Sequence, residues 1–598
     1  MFATILGFFL SMVVLFFVGG GILVGLASSG DSNKVPVIKD NSVLHLTLTK
    51  EIRDRPSNDP FENFDFINLE DRSPMSLGTI IENIEKAAKD DRIKGIYLDI
   101  QSLRANLSST DAIRRALLEF KESGKFIVAY NENFSQLEYY LNSVADEVYL
   151  HPSGDLIFKG LAAQLMFFKD AFERIDLDMQ VIRHGKFKSA IEPFIRNDMS
   201  PENEKQLSRL IDGIWDHQLN QISDARGIDV TDLNSYADGL MIRTALNAKE
   251  LGLVDDILYE DEVIQILHEK VYGVEDDSIS TSSAEDLELL ALSELNKVKS
   301  AGLSKEDREK RRSKNKIAVI YAEGEIISGE SNEGNMGSET IAKAIREARK
   351  DERVKAIVLR VNSPGGSALA SDVIWRETKL AKSKKPFVVS MGDMAASGGY
   401  YISCAADKIY AEKSTITGSI GVFGVIPNMQ GTMNNKLGIH IDQVGTNDYS
   451  DGLTIFRPLG ETEISALTEM VEEVYDKFTS KVADGRKMSQ AMVDSLGQGR
   501  VWSGIDAKEI GLVDELGGLE SAVIAAAEMA ELDDYKLKDL PEREDPMQKL
   551  LQEFATQSYA KIFGQPFLGK AEKYYYNIKQ VFDTEGIYTR LPVKIIIE

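Results

Sequence analysis

Residues 89–102, KDDRIKGIYLDIQS, align without a gap on residues 350–363, KDERVKAIVLRVNS, and this internal duplication restricts the possible folds more than any other feature. The offset of 261 positions persists through Phe126 and Phe387, Val128 and Val389, Tyr139 and Tyr400, Tyr140 and Tyr401, and Asp146 and Asp407. Further on, AKELGLVDDI from Ala248 matches AKEIGLVDEL from Ala507, with the offset now 259. A repeated unit of about 250 residues is a duplicated domain, because solenoid repeats have periods nearer 20–50. A chain of 598 residues is in any case too long for one ordinary core.

Each copy reads as α/β. In the second copy KIAVIYAEGEI, AIVLRVNS and FVVSMGD are short β-branched runs. Between the last two, Ala370, Val373, Ile374 and Thr378 recur at helical spacing. Strands alternating with helices imply βα units. The expected organisation is an apolar N-terminal segment at 1–29, a first repeat at 30–272, a linker at 273–315, a second repeat at 316–540 and a helical tail at 541–598. The linker is acidic and serine-rich (EDDSISTSSAEDLE), then strongly basic (KEDREKRRSKNK). In the tail, PEREDPMQKLLQEFATQSYAKIF reads as an amphipathic helix suited to packing or assembly.

Residues 2–29 carry no charged side chain, enough to span a hydrocarbon core of about 30 Å. A cleaved secretory signal is the alternative, but the apolar run is long and no Lys or Arg precedes it, so a retained transmembrane anchor is expected. A net charge of −26 argues against a nucleic-acid partner, which favours a basic face. The single cysteine, Cys404, excludes an intramolecular disulfide and sits in the apolar run YYISCAAD as a small buried hydrophobe.

The copies differ where chemistry needs particular residues. The second has RVNSPGGS at 360–367, where Pro364, Gly365 and Gly366 make a tight turn whose bare backbone can approach a ligand. The first has Leu103, Arg104 and Ala105 there. SMGDMAASGGYY at 390–401 faces AYNENFSQLEYY, so Ser397 stands opposite Gln136. A serine between a small-residue turn and an apolar helical run is well placed to attack, with amides nearby to hold an oxyanion. Equally, such a serine could merely cap a helix.

A nucleophilic serine needs a base. None of His45, His151, His184, His217, His268 and His440 falls in the glycine-rich loops, although triad partners can meet only in space. The other common base is a lysine kept neutral by burial. VIRHGKFKSAIEPF at 181–194 presents Lys186 and Lys188 beside apolar residues, and its counterpart DQVGTNDYSDGLTIF has no lysine. Two ordinary surface lysines are the other reading.

Taken together, RVNSPGGS, DMAASGGYYIS, TGSIGV and GKFKSAIEPF resemble the signal peptide peptidase A family of the crotonase/Clp superfamily, in its long form with two fused repeats. The resemblance runs to about residue 540. It implies two tandem crotonase/Clp-like βα repeats behind one N-terminal transmembrane helix, and a Ser/Lys dyad. Ser397 then matches the nucleophile, and Lys188, the lysine directly before Ser-Ala, matches the general base in place of Lys186. Ser419 matches the serine that orients the amine, and the amides of Gly365 and Gly398 match the oxyanion donors. Phe187 departs from the tyrosine common among relatives. The family implies no metal or cofactor, peptide substrates such as remnant signal peptides and unfolded segments, and a homo-oligomer, often a tetramer. It also implies placement in the inner membrane with the catalytic domains on the periplasmic side. A coenzyme A enzyme of crotonase type and a noncatalytic membrane scaffold are the rivals, and neither needs both Ser397 and Lys188.

Overall fold

The computed structural model describes residues 37–56, 64–65, 70–71, 73–273, 287–298, 313–332, 334–543 and 587–590. The expected anchor at 1–29 lies outside these residues. Among the described residues no helix is long and apolar enough to cross a membrane.

The duplication is visible as six parallel strands that follow one order in each repeat, the second sheet carrying Ile416–Gly418 and Val501–Ser503 in addition. The first sheet runs Asp256–Ile257, Glu147–Leu150, Phe126–Asn131, Ile93–Asp99, Ser42–Leu46 and Leu289–Ala291. In the second, the same sequence of neighbours is Glu515–Leu516, Lys408–Ala411, Phe387–Ala396, Val354–Ser363, Lys316–Glu323 and Lys536–Leu540. Helices cover both faces, so the strands read as continuous apolar runs; Ile317, Ala318, Val319 and Ile320 are all fully buried. The edge strand Leu289–Ala291 pairs with Ser42–Leu46. It falls inside 273–315, so part of the span read as a linker completes the first repeat's sheet.

A third sheet joins the repeats. Its order is Asn335–Gly337, Glu325–Ile327, Gly365–Ser367, Ile587–Arg590, Val422–Asn428 and Asp178–His184. Asp178–His184 belongs to the first repeat by sequence, yet it pairs antiparallel along its whole length with Val422–Asn428 of the second, from His184 opposite Val422 to Asp178 opposite Asn428. Gly366 makes a further close approach possible: its φ is +153°, and a Cβ there would sit 2.2 Å from the Ile326 carbonyl oxygen. Ile587–Arg590 is a strand within the tail that was read as helical.

Polar contacts lock the repeats face to face. Arg115 pairs in fork geometry with Glu412 at 2.8 and 2.9 Å. The hydroxyl of Ser414 donates to Asp111 at 2.6 Å, and Asp111 is also bonded to Tyr140 and His217. Arg360, 4% exposed at its side chain, is paired with Asp54 at 2.9 Å. Such pairs, once out of water, fix orientation more than they add stability, because desolvation offsets most of the attraction.

Candidate active site

The strand Phe387–Ala396 and the helix Gly398–Ser403 meet at Ser397, which has φ +54° and ψ −111°. This is a region that residues with a side chain rarely occupy, at a cost of about 1–3 kcal/mol that the surroundings must sustain. Two contacts hold it: the Ser397 amide donates to the Gly418 carbonyl at 2.8 Å, and the Tyr401 amide donates to the Ser397 carbonyl at 2.9 Å. The side chain makes no capping bond to the helix, which removes the helix-cap explanation for this serine.

The partner of Ser397 Oγ comes from the other repeat. Lys188 Nζ lies 2.9 Å from it and 3.1 Å from Ser419 Oγ. All three residues are fully buried. The Nζ also stands 5.8 Å from the centre of the Phe423 ring. Among the described residues no carboxylate pairs with Lys188, so burial is unopposed and pushes the amine down to about 7 from its ordinary 10.5. Lys186, two residues away, is not in this cluster; its amide bonds to the Gln498 side chain. The structure therefore brings together Lys188, Ser397 and Ser419 and leaves Lys186 aside.

Lys188 reaches the serine because its segment is clamped onto the second repeat. The Phe187 amide donates to the Gln498 carbonyl at 2.8 Å. Gln206, on the long helix Pro201–Arg226, donates through Nε2 to the Phe187 carbonyl at 3.0 Å and to Ser189 Oγ at 2.9 Å. Its Oε1 accepts from the Val501 amide at 3.3 Å, so one amide side chain spans both repeats. Gly499 has φ +80°, and a Cβ there would stand 2.6 Å from the Lys188 backbone nitrogen and Cβ. Gln206 and Gly499 escaped the sequence reading. The run GQGR at 497–500 was the available signal for Gly499, while nothing local marks Gln206.

The two glycine amides are in different states. Gly365 donates to Ser363 Oγ at 3.1 Å. Gly398 is the first residue of its helix, and its amide has no acceptor among the described residues. The helix of the second repeat thus opens with a donor directed away from its own backbone ladder. A cavity of ≈ 460 Å³ is lined by Ser367 and Tyr401, two and four residues on from Gly365 and Ser397, and has mostly apolar walls that include Ile182, Leu369, Ile426 and Val471.

Residues outside this cluster have structural partners. Among the described residues no histidine bonds to Ser397; His184 stacks on Tyr475 and His217 bonds to Asp111. Cys404 is fully buried, and burial pushes its thiol up to about 12, far from thiolate chemistry.

Residues 119–273 and 379–533 each match the family model for Peptidase family S49, and residues 307–416 match that for Clp protease. The chain is 38% identical to Protease 4 of Haemophilus influenzae over 468 residues, covering 76% of this chain and 74% of that protein. It is 39% identical to Protease 4 of Salmonella typhi, over 77% of this chain and 73% of the relative. With the chloroplastic serine protease SPPA of Arabidopsis thaliana it shares 35% identity, over 86% and 73% respectively. One family model fitted to both repeats, and relatives aligned over about three quarters of their own length, place the chain in peptidase family S49.

Proposed function

We propose that the chain is a serine endopeptidase in which Ser397 is the nucleophile and neutral Lys188 the general base. The observation that carries this reading is the 2.9 Å separation of Ser397 Oγ and Lys188 Nζ, both fully buried. The neutral amine takes the hydroxyl proton as Oγ attacks a peptide carbonyl, and then returns it to the leaving amine. The resulting ester is hydrolysed by a water activated by the same Nζ. Ser419, 3.1 Å from Nζ, keeps the lone pair aimed at Ser397. The amides of Gly398 and Gly365 hold the oxyanion, Gly365 exchanging its Ser363 acceptor for the substrate oxygen. No step calls for a metal or cofactor.

The mostly apolar cavity lined by Ser367 and Tyr401 supports apolar substrates, and remnant signal peptides and unfolded segments are the class proposed. The charge-free residues 2–29 support a single-pass anchor in the inner membrane, with the repeats on the periplasmic side. Assembly as a homotetramer is part of the same proposal and follows from the family resemblance.

Two results test the chemistry. A serine-reactive fluorophosphonate is expected to label the peptide containing Ser397, as read by mass spectrometry; a sole adduct elsewhere overturns the assignment. The second is a pH profile. Only deprotonated Lys188 can accept the proton, so kcat/KM rises through an inflection near pH 7 and levels off above it. A rate already at its plateau at pH 5 excludes a lysine base. Gly499→Ala addresses the clamp: its Cβ displaces the Lys188 backbone, and a shift approaching 1 Å lowers kcat, and the rate of fluorophosphonate labelling with it, about a hundredfold while KM changes little.

A further inference from the structure

Arg500 takes no part in the proposed chemistry, yet it stands where the two repeats meet, against the segment that carries the base. Its guanidinium carbon lies 4.2 Å from the centre of the Trp502 ring and 5.1 Å from that of Phe187, the residue directly before Lys188. At both distances a cation is drawn to an aromatic face. Among the described residues no carboxylate is ion-paired with Arg500; the nearby Asp506 is taken in fork geometry by Arg209, at 2.7 and 3.3 Å. The Arg500 Nε is buried and makes no hydrogen bond among the described residues. A guanidinium that gives up water without gaining an acid or a bond is held by its stacking, and one of its two rings is Phe187.

The backbone of the same residue holds the other side of the lysine. The Ser419 amide donates to the Arg500 carbonyl at 2.7 Å, and Ser419 Oγ donates to the Gly499 carbonyl at 3.4 Å. Ser419 stands at φ +51°, where a side chain is strained, so these bonds fix a conformation that the serine does not favour alone. Arg500 thereby joins the residue before the base to the hydroxyl 3.1 Å from the base amine. We propose that Arg500 is a positioning residue for Lys188: its guanidinium holds Phe187, its carbonyl holds Ser419, and the amine is set between Ser397 and Ser419 as a result. The proposal rests on the serine-peptidase reading above. The other charged groups on this stretch are Lys186, Arg183, whose Nη1 donates to the Lys188 carbonyl at 3.5 Å, and the Arg209–Asp506 pair. None of them pairs with the amine, so the access of water to Nζ decides how tightly it holds a proton.

The test is steady-state cleavage of a fluorogenic peptide across the pH range by the full chain carrying Arg500→Met, Arg500→Lys, Phe187→Leu, Phe187→Tyr, or Arg500→Met with Phe187→Leu. Methionine keeps the carbonyl that binds Ser419 and removes the cation. Arg500→Met is therefore expected to lower kcat near neutral pH about tenfold with KM little changed, because a misplaced base costs rate rather than binding. Its pH inflection is expected to move up from near 7 toward 10.5, since a loosened segment admits water to the amine. Arg500→Lys retains a cation and recovers part of the loss, and Phe187→Tyr, which keeps the ring, loses less than Phe187→Leu. The double variant is expected to be no slower than the slower single one, because both changes break one contact. A residue that only stabilises the fold lowers the melting temperature and leaves the inflection in place. Should Arg500→Met fail to fold, Phe187→Leu carries the same readouts. Unchanged kcat and inflection, or losses that multiply in the double variant, overturn the positioning role. Ser397→Ala measured alongside separates the two readings: full activity there sinks the peptidase assignment, whereas Ser397-dependent cleavage untouched by Arg500→Met sinks only the role given to Arg500.

Discussion

Ser397→Ala is expected to lower kcat about 10⁴-fold or more while leaving the fold and the melting temperature close to those of the unaltered protein. The loss is large because, on the proposed mechanism, the substitution removes the atom that forms the ester. What survives is substrate binding and the oxyanion amides, which alone retain a small residual rate over water. The stability half of the expectation comes from the backbone. Ser397 is held at φ +54°, and alanine pays the same steric cost there, so the strain is neither added nor relieved. Ser397→Gly provides the contrast. It is equally inactive but loses the Cβ conflict, and it should be more stable than the alanine variant by about 1 kcal/mol. The measurement is casein or signal-peptide cleavage together with thermal unfolding of all three proteins. Undiminished cleavage by the alanine variant refutes the nucleophile. A glycine variant less stable than alanine refutes the strained elbow.

The duplication carried most of the fold. Conserved spacing between KDDRIKGIYLDIQS and KDERVKAIVLRVNS fixed two equivalent central strands, and both sheets place them beside the Phe126 and Phe387 strands in the same order. Short β-branched runs flanked by turn residues are a local signal, and local signals are what a single sequence holds. The serine corner was legible for the same reason: glycines at 398 and 399 stand where the first copy has Leu137 and Glu138. Long-range pairing was not. Asp178–His184 crosses into a sheet with Val422–Asn428, a partner some 240 residues away, and no periodicity in DMQVIRH names it. Leu289–Ala291 is only three residues long and sits among charged and serine-rich sequence that masks it. Ile587–Arg590 follows a stretch with helical spacing, and only the two open ladder edges beside it explain its extended form. Lys188 lay between these cases. Its burial depends on the contacts of Phe187 with Gln498 and of Gln206 with Val501, which arise only once the repeats have docked, so local sequence could offer Lys186 and Lys188 on nearly equal terms.

Lys188→Met should separate catalysis from stability more sharply than any other change: kcat falls at least about 10³-fold, and the protein becomes harder to unfold at pH 7. The amine is fully buried and binds a proton only below about pH 7, whereas in the unfolded chain it stays protonated up to about 10.5. Between these values the unfolded state binds more protons, so stability rises with pH through the window and the penalty is greatest at its acid end. At pH 7 the shift amounts to roughly 4–5 kcal/mol against folding. Methionine has similar length and no charge to desolvate, so it removes this penalty. It also strips a partner from the hydroxyls of Ser397 and Ser419, at about 1 kcal/mol each, which leaves a net gain of about 2 kcal/mol. The gain has a signature that a packing effect lacks. It is present at pH 7 and shrinks toward pH 10, where the lysine in the unfolded chain approaches its own pKa. Chemical denaturation of both proteins at pH 7 and pH 10 reads it directly. A methionine variant that still cleaves peptides removes Lys188 from the mechanism. An inactive one whose stability difference is the same at both pH values shows that the amine was never held neutral by burial, and the proton in the first step must then go elsewhere.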